Sequence, residues 1–218
     1  MAPDVDEILR YLRIRGDAGA TRERVARASA ELADAVPPRW VWRVFPVERG
    51  AEGVALVGSG VTLPGALAGR MLAECGAAAL LCCTLGMAFE RRLRALERRD
   101  MGEAAILDAC GSAWVERGCD MAQEELAALL APRFLTDRFS PGYCDLPLSL
   151  QPSILAALDA ERRLGVFLSE SFLMTPAKSV TAVLGIADTP QPARVRGCAF
   201  CAMRADCDYR KGGSTCAV

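Results

Sequence analysis

The chain has 218 residues, 52% of them hydrophobic, and its 26 basic and 27 acidic side chains are intermixed to a formal net charge of −1. That balance supports a sizeable core and excludes a strongly basic nucleic-acid surface. Histidine is absent, which excludes a Ser-His-Asp triad, a Cys-His dyad and a histidine-containing zinc site.

The N-terminus, MAPDVDEILRYLRIRG, carries acids early and lacks a basic start followed by an apolar stretch, so no secretory signal is expected. Val5, Ile8, Leu9 and Leu12 fall at helical spacing and predict a helix over residues 4–15, stopped by Gly16. Thr21 suits the cap of a second helix running to about Val36, before Pro37-Pro38. Residues 39–47, RWVWRVFPV, are aromatic and β-branched and read as a strand. Residues 53–57 and 77–83 are further strands, with Pro64 and Gly65 suited to start a short helix between them. The apolar run at 77–83 is the longest and is far too short to span a bilayer. The chain is therefore read as cytoplasmic, with neither a membrane nor a nucleic acid as partner.

Residues 87–98 and 102–130 read as helices, the second with Ile106, Ala109, Ala113, Val115 and Leu126 in the longest periodic segment. Residues 134–139 look extended and lead into a turn at Ser140-Pro141-Gly142-Tyr143. A helix is predicted over 153–163, with strands over 166–168 and 179–186. Residues 188–197, with Pro190 and Pro192, read as a linker. Helices and strands without a strict βαβ rhythm point to α+β. The expected architecture is a mostly antiparallel sheet packed with helices over residues 1–188, and a small Cys-rich metal module over 189–218.

Two segments bear chemistry. In Arg138-Phe139-Ser140-Pro141-Gly142-Tyr143, Pro and Gly set a tight turn that a ligand can approach closely. The arginine suits a carboxylate, bound through two parallel hydrogen bonds, and the tyrosine offers a ring face and a hydroxyl. The second segment, Leu168-Ser169-Glu170-Ser171-Phe172-Leu173-Met174-Thr175-Pro176-Ala177-Lys178-Ser179-Val180, reads alone as strand, turn and strand. In this order and at this spacing the pair resembles the activation domain of cobalamin-dependent methionine synthase. That domain has an Arg-x-x-Pro-Gly-Tyr turn and, downstream, a Thr-Glu-Ser-x-x-Met-x-Pro-x-x-Ser-Val segment. Ser169 stands here for the usual threonine, and Lys178 where a small residue is common. The likeness is strong from about residue 135 to 185 and points to a short, free-standing relative of the domain.

The resemblance implies a site for S-adenosylmethionine at Arg138, Pro141, Gly142 and Tyr143. It also implies a helix carboxylate at the ligand's charged end. Glu116 matches best, with Asp108 and Asp120 as competitors, and a carboxylate suits a sulfonium and an ammonium group.

Cys198, Cys201, Cys207 and Cys216 form C-x2-C-x5-C-x8-C at the end of the chain. Four thiolates can hold a [4Fe–4S] cluster or a tetrahedral zinc, with disulfides or free thiols as the remaining alternative. The other six cysteines, at 75, 82, 83, 110, 119 and 144, read as small hydrophobes. Cys144, beside the turn, is the exception to watch.

By resemblance, the chain is an accessory protein for reductive methylation of a partner corrinoid protein, part of a cobalamin-dependent methyltransferase system. Electrons would enter through the C-terminal cluster, from a donor such as a flavodoxin or ferredoxin. No Asp-x-His-x-x-Gly motif is present, so cobalamin belongs to the partner. The alternative is an iron–sulfur electron carrier, or a methyltransferase assembly factor, that has lost S-adenosylmethionine binding.

Overall fold

The computed structural model describes residues 3–14, 19–192, 205–206 and 211. The elements, in chain order, are α1 (Val5–Tyr11), α2 (Gly19–Ala35), β1 (Arg39–Gly50), β2 (Gly53–Leu56), β3 (Val61–Leu63), α3 (Gly65–Met71), β4 (Ala77–Thr84), α4 (Gly86–Glu97), α5 (Met101–Leu130), β5 (Phe134–Leu135), α6 (Gln151–Leu158), α7 (Ala160–Leu164), β6 (Phe167–Leu168), β7 (Met174–Thr175) and β8 (Ser179–Ala187). Six strands form one sheet in the order β3-β2-β1-β4-β8-β5, and β6 and β7 form a separate hairpin. The β1–β2, β2–β3, β5–β8 and β6–β7 pairs are antiparallel. The predicted α+β class and mostly antiparallel sheet are observed.

Burial follows position in the sheet. Strands β4 and β8 are buried almost without interruption and lie between neighbours on both sides. Their unbroken apolar runs are those of strands covered on both faces. In β3, at the edge, burial alternates instead.

The chain divides into two compact units. The first takes the residues up to Val41, Cys82–Glu125 and Leu158–Val180. Here α1, α2, α4, most of α5, and α7 enclose Ile8, Leu32, Phe89 and Trp114. The Trp114 indole N–H donates to the Val36 carbonyl (2.8 Å), tying α5 to the end of α2. Gly111 leaves a notch on α5 that the Phe89 ring fills so closely that a Cβ there would lie 2.3 Å from it. The second unit takes Trp42–Leu81, Leu126–Ala157 and the residues from Thr181 onward. It contains the β1–β2–β3 meander, α3, β5, α6 and most of β8. Arg49 ties β1 to the end of α3 by donating to the Leu72 and Cys75 carbonyls.

Several predicted boundaries need correction. Helix α1 ends at Tyr11 rather than at residue 15, because Arg13 turns to positive φ; Gly16, the expected stop, lies outside the described residues. Helix α2 starts at Gly19, before Thr21. The helix expected over 153–163 is two helices, α6 and α7, broken at Asp159 in the left-handed region (φ 52°). Aspartate tolerates that conformation better than most residues. Strand β1 runs on to Gly50, where it pairs with Gly53 across a tight turn. Strands β3 and β7, of three and two residues, are too short to show a period. Among the described residues, no helix is long and apolar enough to cross a membrane.

Candidate functional site

The Arg138–Tyr143 turn lies wholly in the second unit. Strand β5 approaches it with Leu135 opposite Ile186 of β8, and Thr136 N–H donates to the Gly185 carbonyl. Phe139 then pairs with Val183 through both backbone bonds, 3.1 and 2.8 Å. From residue 136 to 139 the chain advances three positions against two, 185 to 183, on β8. The extra residue makes a β-bulge, a device that re-aims side chains at a strand's end. The Thr136 hydroxyl patches the interrupted ladder by accepting from Gly185 N–H (2.8 Å). Buried Phe139 anchors the start of the turn, with Arg138, partly exposed, just before it.

Beyond Phe139 the chain reverses. Tyr143 N–H donates to the Ser140 carbonyl (3.1 Å), and Gly142 carries φ +90°. Proline second and a positive-φ glycine third is the type II pattern. Gly142 N–H donates to the Leu146 carbonyl (2.8 Å), and Leu146 N–H returns to the Tyr143 carbonyl (2.9 Å). A Cβ at Gly142 would find nothing nearer than 3.6 Å, so the outer side of the turn is open. Pro141 is buried, Leu146 is buried beneath the turn, and Tyr143 is half-exposed. The turn therefore suits an amino-acid carboxylate beside a planar group: it offers a guanidinium and an aromatic face, with open space beside the Gly142 α-carbon.

Asp145, which sequence reasoning passed over, reaches out of this loop to α3. Its carboxylate accepts from Ala66 N–H (2.6 Å) and Leu67 N–H (3.1 Å). Desolvation pushes the carboxyl up, but the amide bonds from Ala66 and Leu67, its own amide and the Arg70 charge together hold it below the usual carboxylate range.

The second motif segment lies in the first unit. Strands β6 and β7 pair as a hairpin whose tip is Ser169-Glu170-Ser171-Phe172-Leu173. Phe172 N–H donates to the Ser169 carbonyl (3.0 Å), and the Ser169 hydroxyl accepts from Leu173 N–H (3.1 Å). Phe172 sits at φ +62°, a conformation that costs an L-residue roughly 1–2 kcal/mol. Phe167, Phe172 and Leu173 are exposed large apolar residues. At the hairpin's base, buried Glu90 of α4 accepts from Ala177 N–H (2.5 Å). Lys178 donates to Asp108 (2.9 Å) and Ser112 (2.8 Å) on α5. Ser179 and Thr84 share a hydroxyl bond of 2.7 Å. The lysine that departs from the family pattern is thus an ion-pair partner, and Asp108 is engaged by it.

Glu116 is half-buried on α5, in the first unit, where its charge acts on α1. Burial first, then the Glu7 and Glu116 charges, push the Tyr11 hydroxyl up to about 12. Burial also raises the Glu7 carboxyl, with Arg10 opposing and Glu116 reinforcing. Glu116 therefore stands in an acidic neighbourhood. Arg138, Pro141, Gly142 and Tyr143 belong to the second unit.

Cys75, Cys82, Cys83, Cys110 and Cys119 are buried and Cys144 is exposed. Burial raises Cys82 to about 12 and Cys110 to about 11, so these thiols stay protonated and act as apolar filling. Cys198, Cys201, Cys207 and Cys216, like most of residues 189–218, lie outside the described residues. Among the described residues, no cluster of three metal-ligating side chains occurs.

Residues 116–192, about a third of the chain, match the family model described as vitamin B12 dependent methionine synthase, activation domain. That stretch contains Glu116, the Arg138–Tyr143 turn and the 167–180 hairpin segment. No curated protein matches the chain. Among solved structures, the chain is similar to the crystal structure of the MetH reactivation domain bound to AdoHcy. The TM-score is 0.60 at 16% identity, covering 99% of this chain and 86% of that one. The fold is thus that of a methionine synthase reactivation domain, as the motif pair implied.

Proposed function

We propose that this chain binds S-adenosylmethionine and serves the reductive reactivation of a corrinoid protein. The observation that carries the reading is the Arg138–Tyr143 turn. It joins an arginine, an open positive-φ glycine and a half-exposed tyrosine in a frame held by its own backbone, within the stretch that matches the activation-domain family. Arg138 pairs with the methionine carboxylate, Pro141 and Gly142 present backbone to the ligand, and Tyr143 packs on it. Glu116 is the carboxylate that the resemblance assigns to the ligand's positive end. Bound S-adenosylmethionine supplies an activated methyl group, and the protein's part is placement rather than proton transfer, consistent with a chain that has no histidine.

The same proposal takes residues 1–188 as the ligand-binding part and 189–218 as a metal module. Its cysteines at 198, 201, 207 and 216 occupy nineteen positions, 198–216 inclusive. A segment that short needs a metal or cross-link to hold a fold. A [4Fe–4S] cluster suits the role because zinc carries no electrons. The cobalamin belongs to the partner, a flavodoxin or ferredoxin serves as donor, and the setting is cytoplasmic. Calorimetric titration of the whole chain with S-adenosylmethionine, with and without a corrinoid protein, tests the reading. Saturable binding supports it. Absence of binding, together with an iron–sulfur visible spectrum from anaerobic protein, would leave an electron carrier in its place. Cys201→Ser should abolish bound iron and leave the main fold intact; stoichiometric zinc without sulfide in the parent would remove the redox role.

A further inference from the structure

We infer that Asp145 is a positioning residue for the ligand turn: its carboxylate clamps the Arg138–Tyr143 loop onto the first amides of α3. The clamp itself is read from geometry; its effect on affinity rests on the ligand reading above. Helix α3 begins at Gly65 after Pro64, which offers no side-chain cap. A helix start leaves amides without intrahelical partners. Two of these, Ala66 and Leu67, are taken by Asp145, whose residue number is 79 above that of Ala66.

The position of Asp145 in the loop decides what this bond does. It lies between Tyr143 and Leu146, inside the segment closed by Gly142 N–H on the Leu146 carbonyl and by Leu146 N–H on the Tyr143 carbonyl. Fixing Asp145 therefore fixes both ends of that closure. Phe139 and Leu146 hold the loop by burial; Asp145 holds it by a directed, charged side-chain bond. Gly65 provides an independent sign of the same contact. It carries φ +86°, and a Cβ there would stand 2.7 Å from the Asp145 carboxylate. The carboxylate occupies the space that a side chain at residue 65 would need.

Two variants break the clamp differently. Asp145→Ala removes the carboxylate, whereas Gly65→Ala displaces it and leaves the charge present. Asp100→Ala is the control, because Asp100 caps α5 in the same manner through Gly102 and Glu103 N–H (2.9 and 3.0 Å). Amide hydrogen exchange at Gly142 and Leu146 is read alongside affinity for S-adenosylmethionine. Asp145→Ala and Gly65→Ala should speed exchange at both amides and weaken binding by about tenfold or more. Asp145→Asn, which keeps an acceptor, should restore part of each. Asp100→Ala should leave both readouts at parental values even where it lowers the melting temperature. Unchanged exchange in Asp145→Ala overturns the clamp, as does equal loosening of the turn by Asp100→Ala. If the parent binds no S-adenosylmethionine, the ligand reading fails and the exchange data alone decide the clamp.

Discussion

The loop at residues 138–146 closes largely on itself, whereas the segment at 167–180 is fastened from elements far away in sequence. The first has three backbone bonds within residues 140–146 and a proline–glycine pair that sets its reversal, with outside fastenings at Phe139, through both backbone bonds to Val183, and at Asp145, to α3. The second has a strained tip at Phe172 with exposed apolar side chains, and its base hangs on Glu90, Lys178 and Thr84. A self-closed turn can present backbone to a ligand in a fixed geometry at little further ordering cost. A hairpin tied only at its base can keep its tip adaptable. The two halves of one sequence motif therefore serve different physical ends.

Substitutions can break or sharpen this contrast. The largest effect is expected from Phe139→Ala, which empties the buried anchor of the turn and should cost about 3–5 kcal/mol in urea unfolding. A loss below about 1 kcal/mol would mean that the turn does not depend on that anchor. Next comes Glu90→Ala, which leaves the Ala177 amide without its acceptor and should cost about 1–3 kcal/mol. Glu90→Gln keeps an acceptor and should cost less; equal losses would show that the bond is not what matters.

Acid provides a subtler probe. The Asp145 carboxyl is held below its unfolded value by Ala66, Leu67 and Arg70 against desolvation. Its contribution is therefore full above the unfolded pKa and is lost as pH falls through the lower folded value. Protection of the Gly142 amide, measured against its intrinsic exchange rate at each pH, should fall only in that acid range, and Asp145→Asn should flatten the dependence. Loss of that protection already at neutral pH would contradict the assignment. Smallest of all is Leu173→Ser at the exposed hairpin tip, expected to stay within about 0.5 kcal/mol of the parent. A larger loss would mean that the tip is packed rather than presented.

What was legible in the sequence follows the same division. Pro141-Gly142 announces its own turn, and the apolar runs of β4 and β8 announce buried strands, because neighbouring residues carry the signal. Asp145 gives no such signal: its partners lie on α3, and only the fold brings them together. Glu90 looks like one acid among many charges on α4, and Lys178 like a departure from a motif, until α5 supplies Asp108 and Ser112. Asp159 splits a helix whose apolar spacing continues across the break. Cys198, Cys201, Cys207 and Cys216 remain a matter of spacing alone.

The central claim is that the turn binds S-adenosylmethionine through Arg138. The direct test is calorimetric titration of the parent chain and of Arg138→Ala under identical conditions. Loss of a charge-assisted pair of about 1.5–3 kcal/mol predicts binding weaker by roughly ten- to a hundredfold. Equal affinity of the two proteins for S-adenosylmethionine would contradict the account.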